Sequence, residues 1–364
     1  MKIAIVHDYL NQFGGAERVI SALHEIWPDA PIYTSIYDEK RMPDNFRRMD
    51  IRVSFMQRLP FVFNLFKYYF LLYPLAFERF DLSGYDIIIS SSSAFAKGVK
   101  KRLGQLHICY CHTPARFVWR YEDYMKRESI PGFFKVFLPF FLEPIKKWDM
   151  QTSANVDCFI ANSQNVADRI QKTYSRESVI INPPVESSLF EPSALTSDYF
   201  LVASRLNTYK RIDIAVEAFN QLDLPLKIVG DGPDRRNLQK MAGPNIEFLG
   251  RLPDEQLSKY LAECQALIFP GEEDFGIVPL EAMAAGRPVI AYKAGGANET
   301  VIDGETGILF DRQTAKSLVS ALKNFQFESF DKKILRAHAE KFDKEVFKQK
   351  IKTFVDEKAR ERGL

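Results

Sequence analysis

The sequence lacks most of the features that assign a chain to a specialised class of protein. Only four of its 364 residues are cysteines, and their spacing does not form a disulfide framework, so reduced thiols in the cytosol are the simplest interpretation. The net charge of +2 argues against a dedicated nucleic-acid-binding protein. We expect no signal peptide, since residues 1–8 lead directly into a strand.

Motifs for metals and for nucleophilic catalysis are also missing. Cys109, Cys111 and His112 are too tightly spaced for a usual zinc site, and the sequence offers no second pair of ligands. It contains no Gly-x-Ser-x-Gly nucleophile elbow and no Walker-type phosphate loop. We therefore expect a protein that holds no structural metal.

Two aromatic stretches, residues 61–77 and 133–142, leave two interpretations open. Neither predicts a transmembrane helix, because polar residues and a proline interrupt the first and the second is too short. Residues 51–120 carry ten Lys or Arg against three Asp or Glu. The stretches are therefore either core helices or an aromatic, basic face that contacts anionic lipid headgroups.

The length of the chain fits two domains, and short apolar runs predict a parallel sheet in each. The extended segment 182–185, Asn-Pro-Pro-Val, is the expected join. Ligands of such sheets bind outside the carboxyl ends of the strands. The predicted strands are residues 3–6, 31–35, 51–54, 86–90, 105–110, 158–161, 199–203, 226–229, 246–249, 266–270, 288–291 and 307–310.

Glu273 and Glu281 lie eight positions apart across a predicted strand-to-helix turn. The free N–H groups of Gly276, Ile277 and Val278 would form an anion site at the start of that helix. The two carboxylates would flank this site and accept hydrogen bonds from sugar hydroxyls. The alternative is that Glu281 only complements the helix N-terminus and Glu273 is a solvated loop residue.

Arg205 and Lys210 follow the first strand of the second half. Two cations at such a strand end suit a diphosphate, although they are also compatible with ordinary surface charge. Gly230 indicates either a close backbone approach to a ligand or merely a turn. Gly15 fits a backbone contact to phosphate at the first helix, but paired glycines are common in such turns.

His112 follows a strand directly, so we expect it to be exposed to the ligand cleft and to have a function. His7 and Asp8 end another strand and can face the same cleft, but the sequence shows no partner for them. Glu17, in the first turn of the first helix, is interpreted as a partner of the helix dipole rather than a catalyst.

Taken together, these motifs resemble the retaining GT-B glycosyltransferases of family 4. Glu273 and Glu281 resemble that family's paired-glutamate motif, and Arg205 with Lys210 resembles its diphosphate-binding pair. The turn at residues 295–299, Gly-Gly-Ala-Asn-Glu, resembles the one that follows in the family. The resemblance covers nearly the whole chain and is strongest over its second half.

The Cys-His-Thr-Pro-Ala-Arg-Phe segment, residues 111–117, further resembles a bacterial branch of mannosyltransferases that act in O-antigen or exopolysaccharide assembly. The join departs from the family, which commonly has Asn-Gly-Val there, so a stiffer hinge is expected.

The resemblance implies roles for the donor-site residues. Lys210 and Arg205 would hold the leaving diphosphate, assisted by the amides of Ile277 and Val278. Glu273 would contact donor sugar hydroxyls close to the anomeric centre.

For the remaining residues, the resemblance implies that Glu281 binds the ribose hydroxyls. His112 would lie near the reactive face of the sugar, acting through its backbone carbonyl or its ring. Gly15 would lie near the donor phosphates and the acceptor.

The implied fold is GT-B, an α/β architecture of two doubly wound Rossmann-like domains that face a deep cleft. Residues 1–185 would form the acceptor-binding domain, with a C-terminal helix at about 344–364 packing back onto it. Residues 186–343 would bind the nucleotide-sugar donor.

The implied activity is retaining transfer of a hexose to a lipid-linked saccharide in polysaccharide or lipopolysaccharide synthesis. The preferred donor is GDP-mannose, no metal is required, and the enzyme would be cytoplasmic, in peripheral contact with the anionic inner face of the membrane. A UDP-sugar donor, a nucleotide-sugar 2-epimerase and a non-catalytic nucleotide-sugar binding protein remain as alternatives.

Overall fold

The computed structural model describes residues 1–119 and 132–364, without the side chains of residues 132–141. The chain forms two compact units. The first contains Met1–Pro184 and Phe347–Leu364, and the second is Val185–Val346. Each unit has its own parallel sheet with helices, which confirms the predicted α/β class.

The sheet of the first unit has seven parallel strands in the order β3-β2-β1-β4-β5-β6-β7. Strands β1, β4 and β5 are buried along their whole length, as expected for continuous apolar runs covered on both faces. Strand β7 was not predicted, because it is a short edge strand of three partly or fully exposed residues. The strands are β1 Ile3–His7, β2 Ile32–Thr34, β3 Ile51–Val53, β4 Ile87–Ser92, β5 Leu106–Cys111, β6 Cys158–Ala161 and β7 Ser178–Ile180.

The helices of the first unit follow from local signals in the sequence. Helix α1 presents Val19, Ile20 and Leu23 to the core on one face. Helix α6 begins where the hydroxyl of Ser163 accepts a hydrogen bond from the amide of Val166. The described helices are α1 Gly15–Ile26, α2 Val62–Leu65, α3 Tyr73–Glu78, α4 Arg116–Trp119, α5 Gly132–Ser153 and α6 Gln164–Tyr174.

The aromatic stretch 61–77 is partly buried and partly exposed. Tyr73 and Phe77 are buried and pack in the core of the first unit. Phe61 and Tyr68 are 76% and 74% exposed. In the second stretch the backbone belongs to α5, but the side chains of residues 133–141 lie outside the described ones.

The sheet of the second unit has six parallel strands in the order β10-β9-β8-β11-β12-β13. Strands and helices alternate along this part of the chain and are joined by short loops, which is typical of a parallel sheet. The strands are β8 Phe200–Ala203, β9 Leu226–Val229, β10 Ile246–Gly250, β11 Leu267–Phe269, β12 Val289–Tyr292 and β13 Gly307–Phe310.

The helices of the second unit include the one that follows the paired-glutamate turn. Helix α10 begins at Ile277, because Gly276 adopts a left-handed conformation with φ of 87° and ends the preceding loop. The described helices are α7 Ile212–Leu222, α8 Arg235–Met241, α9 Asp254–Glu263, α10 Ile277–Ala284, α11 Ala297–Thr300, α12 Ala315–Lys323 and α13 Lys332–Glu340.

The last helix, α14, spans Lys344–Glu361, and its apolar face belongs to the core of the first unit. Phe347, Ile351, Phe354 and Val355 recur at the spacing of one helical face and are buried there. The Nζ atom of Lys348 lies 3.2 Å from the Glu25 carboxylate and adds a polar contact at the edge of that face.

Both sheets reverse their strand order at one point. In the first unit the reversal falls between β1 and β4, and in the second between β8 and β11. Loops leave the carboxyl ends of neighbouring strands in opposite directions there, which opens a crevice where ligands of doubly wound sheets bind. The residues that follow β1, β8 and β11 are therefore the first to consider for a site.

Candidate active site

The loops after β8 and β11 bring Lys210 and Glu273 together. Lys210 ends a short 3-10 turn, Thr208–Lys210, and its Nζ atom forms an ion pair with the Glu273 carboxylate. The two side chains are only 13% and 22% exposed. This enclosure does not fit the alternative in which both are solvated surface residues. Arg205, the second predicted cation, is exposed.

Glycines allow the loops that carry this ion pair to pack backbone against backbone. A Cβ atom at Gly271 would lie 2.8 Å from the carbonyl oxygen of Lys210. The amide of Gly296 donates a hydrogen bond of 2.9 Å to the carbonyl of Glu273, and a Cβ at Gly295 or Gly296 would overlap that loop. The paired glycines after β12 thus hold the Glu273 loop in place.

Gly230, after β9, is also explained by packing. Its φ of 129° is unfavourable for other residues, and a Cβ there would overlap the carbonyl of Ser204. Its amide donates to the carbonyl of Gly250 at 2.8 Å. The backbone alone therefore requires glycine at this position, and the contact of Gly230 with a ligand stays a prediction.

The N-terminus of α10 has the geometry of an anion site. Gly276 is its N-cap, and no side chain in the described part of the chain caps it. Pro279 contributes no N–H, so the amides of Ile277 and Val278 remain as donors of the first turn. Glu281 is buried, 2% exposed, and lies beyond that first turn. Its position does not fit the alternative in which it merely complements the helix N-terminus.

In the first unit, the expectation that His112 is exposed is wrong. The residue is 9% exposed because three strand-end groups enclose it. Its ring Nε2 lies 2.8 Å from the hydroxyl of Ser91, and its carbonyl accepts a hydrogen bond from Asn162 at 3.1 Å. Its amide donates to the carbonyl of Ser92 at 2.9 Å. His112 is thus held by both its ring and its backbone.

His7 belongs to the same network. Its Nδ1 atom lies 3.1 Å from the carbonyl oxygen and 3.2 Å from the hydroxyl oxygen of Ser91. Its Nε2 atom faces the buried carboxylate of Glu17 at 3.7 Å. Sequence analysis did not identify Ser91, although a run of four serines, residues 90–93, at the end of an apolar strand is a signal that it could have used.

Asp8 has a structural role. Its carboxylate accepts hydrogen bonds from the backbone amides of four consecutive residues, at distances of 2.6 to 3.0 Å. These bonds fix the loop after β4 against the end of β1. The four donors are Ser93, Ala94, Phe95 and Ala96.

Gly15 is the first residue of α1 and is exposed. The preceding Gly14 is extended, and no side chain among residues 1–119 and 132–364 caps the helix. The geometry agrees with a backbone contact to phosphate, which stays a prediction.

A cavity of about 430 Å³ opens in the first unit beside the residues that follow His112. Arg169 donates a long hydrogen bond of 3.5 Å to the hydroxyl of Thr113. The indole of Trp119 is fixed by a 2.6 Å hydrogen bond to Asp149. The lining residues are Thr113, Pro114, Trp119, Arg169, Lys172 and Thr173. Sequence analysis missed this group because β6 and α5 separate its members along the chain.

Among the described residues, no group of three His, Cys, Asp or Glu side chains could hold a metal ion. All four cysteines are free thiols. Within the same described ranges, no helix combines the length and the apolar character needed to cross a bilayer.

Family models match both units. The model for glycosyl transferases group 1 matches residues 188–346, and the model for glycosyltransferase family 4 matches residues 13–189. The chain belongs to the family 4 glycosyltransferases of GT-B fold. The structure of Anabaena HepE in complex with UDP superposes with a TM-score of 0.73 at 19% identity, covering 98% of this chain and all of HepE.

Mannosyltransferases are among the proteins that this chain resembles. The alpha-1,3/1,6-mannosyltransferase ALG2 of Homo sapiens is 27% identical, over 94% of this chain and 92% of its own. The O-antigen chain mannosyltransferase C of Escherichia coli is 29% identical, over 46% of this chain and 51% of its own. The predictions of a GT-B fold and of glycosyltransferase activity are confirmed at the level of the family.

Proposed function

We propose that this glycosyltransferase transfers mannose from GDP-mannose to a lipid-linked saccharide, with retention at the anomeric carbon. The observation that carries the proposal is the enclosed Lys210–Glu273 pair at the strand-order reversal of the second unit, beside the N-terminus of α10. The names of the two mannosyltransferase relatives support the choice of sugar.

The charges of the second unit fit the cleavage of a glycosyl–diphosphate bond. Negative charge develops on the leaving diphosphate, and Lys210, Arg205 and the amides of Ile277 and Val278 would be donors for it. The two amides are fixed by the start of α10, so they need no reorganisation during the reaction. This charge stabilisation would make a metal ion unnecessary.

The bonds that break and form in the proposed reaction balance, and no further reactant is needed. The bond from the anomeric carbon to the phosphate oxygen breaks as the acceptor hydroxyl oxygen attacks from the same face. The acceptor's proton passes to the leaving phosphate oxygen. Glu273 would hold donor sugar hydroxyls near the anomeric carbon, and buried Glu281 would hold the ribose hydroxyls.

The cavity of the first unit supports an acceptor that carries phosphate. Arg169 and Lys172 supply positive charge for a phosphate group, and Thr113 supplies a hydroxyl. Trp119 offers an aromatic surface against which a sugar ring can pack. Because Thr113 follows His112 directly, an acceptor bound in this cavity would lie beside that histidine.

The exposed part of the stretch 61–77 supports peripheral membrane contact. Phe61, Leu65 and Tyr68 are exposed, and Lys67 adds a cation among them. The protein should therefore co-sediment with anionic liposomes at low salt, and Phe61→Ser with Tyr68→Ser should weaken this binding. Equal co-sedimentation of the wild type and the double variant would remove this surface from the proposal.

Thermal unfolding with GDP, UDP and ADP tests the donor. A ligand that binds only the folded state adds about 2.7 kcal/mol at a hundredfold excess over its Kd. Stabilisation by GDP alone, followed by mannose transfer from GDP-mannose, supports the proposal. Stabilisation by UDP alone keeps the reaction but replaces the donor with a UDP-sugar. No stabilisation by any of the three contradicts the diphosphate site.

A further inference from the structure

Four buried polar residues form a continuous chain at the strand-order reversal of the first unit. The chain runs from Glu17 through His7 and Ser91 to His112. Glu17, His7 and Ser91 are at most 3% exposed. We propose that these three are positioning residues that fix the His112 ring as the tautomer with the proton on Nδ1. The inference rests on the proposed function, in which His112 lies at the reacting sugar.

The contacts of His7 show which of its ring nitrogens carries a proton. The Ser91 carbonyl oxygen can only accept a hydrogen bond, so the Nδ1 atom of His7, 3.1 Å away, must carry a proton. The Nε2 atom lies 3.7 Å from Glu17 Oε1, so the buried carboxylate packs against the ring on that side and helps to hold its orientation. The proton on Nδ1 makes His7 a donor toward Ser91.

The Ser91 hydroxyl accepts a hydrogen bond from His7 and donates one to His112. Its oxygen lies 3.2 Å from His7 Nδ1 and accepts part of that hydrogen bond. Its own proton then points to His112 Nε2, at 2.8 Å. The hydroxyl makes no other hydrogen bond among the described residues. Nε2 of His112 is consequently an acceptor, which places the proton of the neutral ring on Nδ1.

The neighbouring residue offers a matched control. Ser90 lies on the opposite face of β4, because successive side chains of a strand alternate. Its hydroxyl bonds the Nε2 atom of buried His107, also at 2.8 Å. Ser90→Ala and Ser91→Ala thus each remove one buried serine–histidine hydrogen bond from the same strand, but only Ser91→Ala alters the chain that ends at His112.

The test is NMR of ring nitrogens in the full chain labelled with 15N-histidine. His112 is assigned from the signals lost in His112→Gln. The wild type should show His112 protonated on Nδ1 alone, and Ser91→Ala should give a mixture of tautomers. Ser90→Ala should leave the His112 signals unchanged. A wild-type His112 protonated on Nε2, or on both nitrogens, would overturn the inference without any variant.

Steady-state kinetics give the second readout. Ser91→Ala should lower kcat by tenfold or more with a smaller change in the KM for the donor, while Ser90→Ala should stay within twofold of the wild type. His7→Asn keeps an N–H near the position of Nδ1 and should recover part of the kcat lost in His7→Ala. Equal losses in Ser90→Ala and Ser91→Ala would indicate a structural role only. The tautomer measurement holds even if the protein transfers no sugar, so failure of the proposed function remains distinguishable.

Discussion

The Lys210–Glu273 ion pair predicts opposite effects for substitutions of its two members. Lys210 would bind the leaving diphosphate, whereas Glu273, which pairs with Lys210 in the structure, would contact the sugar. Lys210→Met should therefore weaken binding of a nucleoside diphosphate. Glu273→Gln should strengthen the same binding slightly, because the lysine is released and one negative charge is removed. At the same time Glu273→Gln should abolish most of the sugar transfer.

The magnitudes follow from the enclosure of the pair. A hydrogen bond to a charged group contributes about 1.5–3 kcal/mol, so Lys210→Met should raise the Kd by roughly 10- to 100-fold. A partly exposed ion pair contributes about 0.2–1 kcal/mol, so loss of the competing carboxylate should lower the Kd by no more than about fivefold. The two variants thus differ in sign as well as in size.

Isothermal titration calorimetry measures the Kd of each variant. The titrant is GDP, or UDP if UDP is the nucleotide that stabilises the protein. Lys227→Met is the matched control, since Lys227 forms a similar ion pair with Glu247 on neighbouring strands of the same sheet. Its Kd should equal that of the wild type. Weaker nucleotide binding in Glu273→Gln, or unchanged binding in Lys210→Met, would refute the assignment of the two roles.

Three further predictions concern stability. Lys97→Met should lower the free energy of unfolding, measured in urea, by about 3–5 kcal/mol, because it leaves the buried carboxylate of Asp149 without its cation. Adding Asp149→Asn to this variant should restore part of the lost stability. Burial lowers the pKa of His107 from 6.5 to about 3, so the unfolded state binds more protons than the folded state between these pH values. The free energy of unfolding should therefore fall as the pH drops from 6.5 to 3. The fall should be less steep in His107→Gln. Gly296→Ala should lower the melting temperature and the activity, because its Cβ would overlap the Phe275 backbone, whereas Gly84→Ala meets no atom within 4 Å and should do neither.

The sequence predicted the strands of the second unit and the helix after the Glu273 turn, because their signals are local. Apolar runs of four or five residues marked the strands, and the turn before α10 contained Gly276 and Pro279 at the positions that a helix start requires. The candidate donor-site residues were predicted for the same reason. Glu273 and Glu281 occupy one strand–turn–helix segment, and Lys210 lies in the loop that follows β8.

The polar chain of the first unit could not be predicted in this way. His7 and Ser91 are 84 positions apart and meet only because β1 and β4 are neighbours in the sheet. Before the strand order is known, Asp8 and His112 are simply polar residues at strand ends. The order of the strands decides that Asp8 caps the loop after β4, while His112 meets Ser91.

The ion pair also explains how the second unit can hold a cation in an enclosed site. A lysine at 13% exposure loses part of its hydration, and this cost is offset when a carboxylate lies against it. A diphosphate supplies more negative charge than Glu273 does, so it can take over the lysine and release the carboxylate toward the sugar. In the proposed function, Glu273 would thus neutralise Lys210 before the diphosphate binds and contact the sugar afterwards. This exchange is why Glu273→Gln should separate binding from transfer, whereas Lys210→Met should impair both.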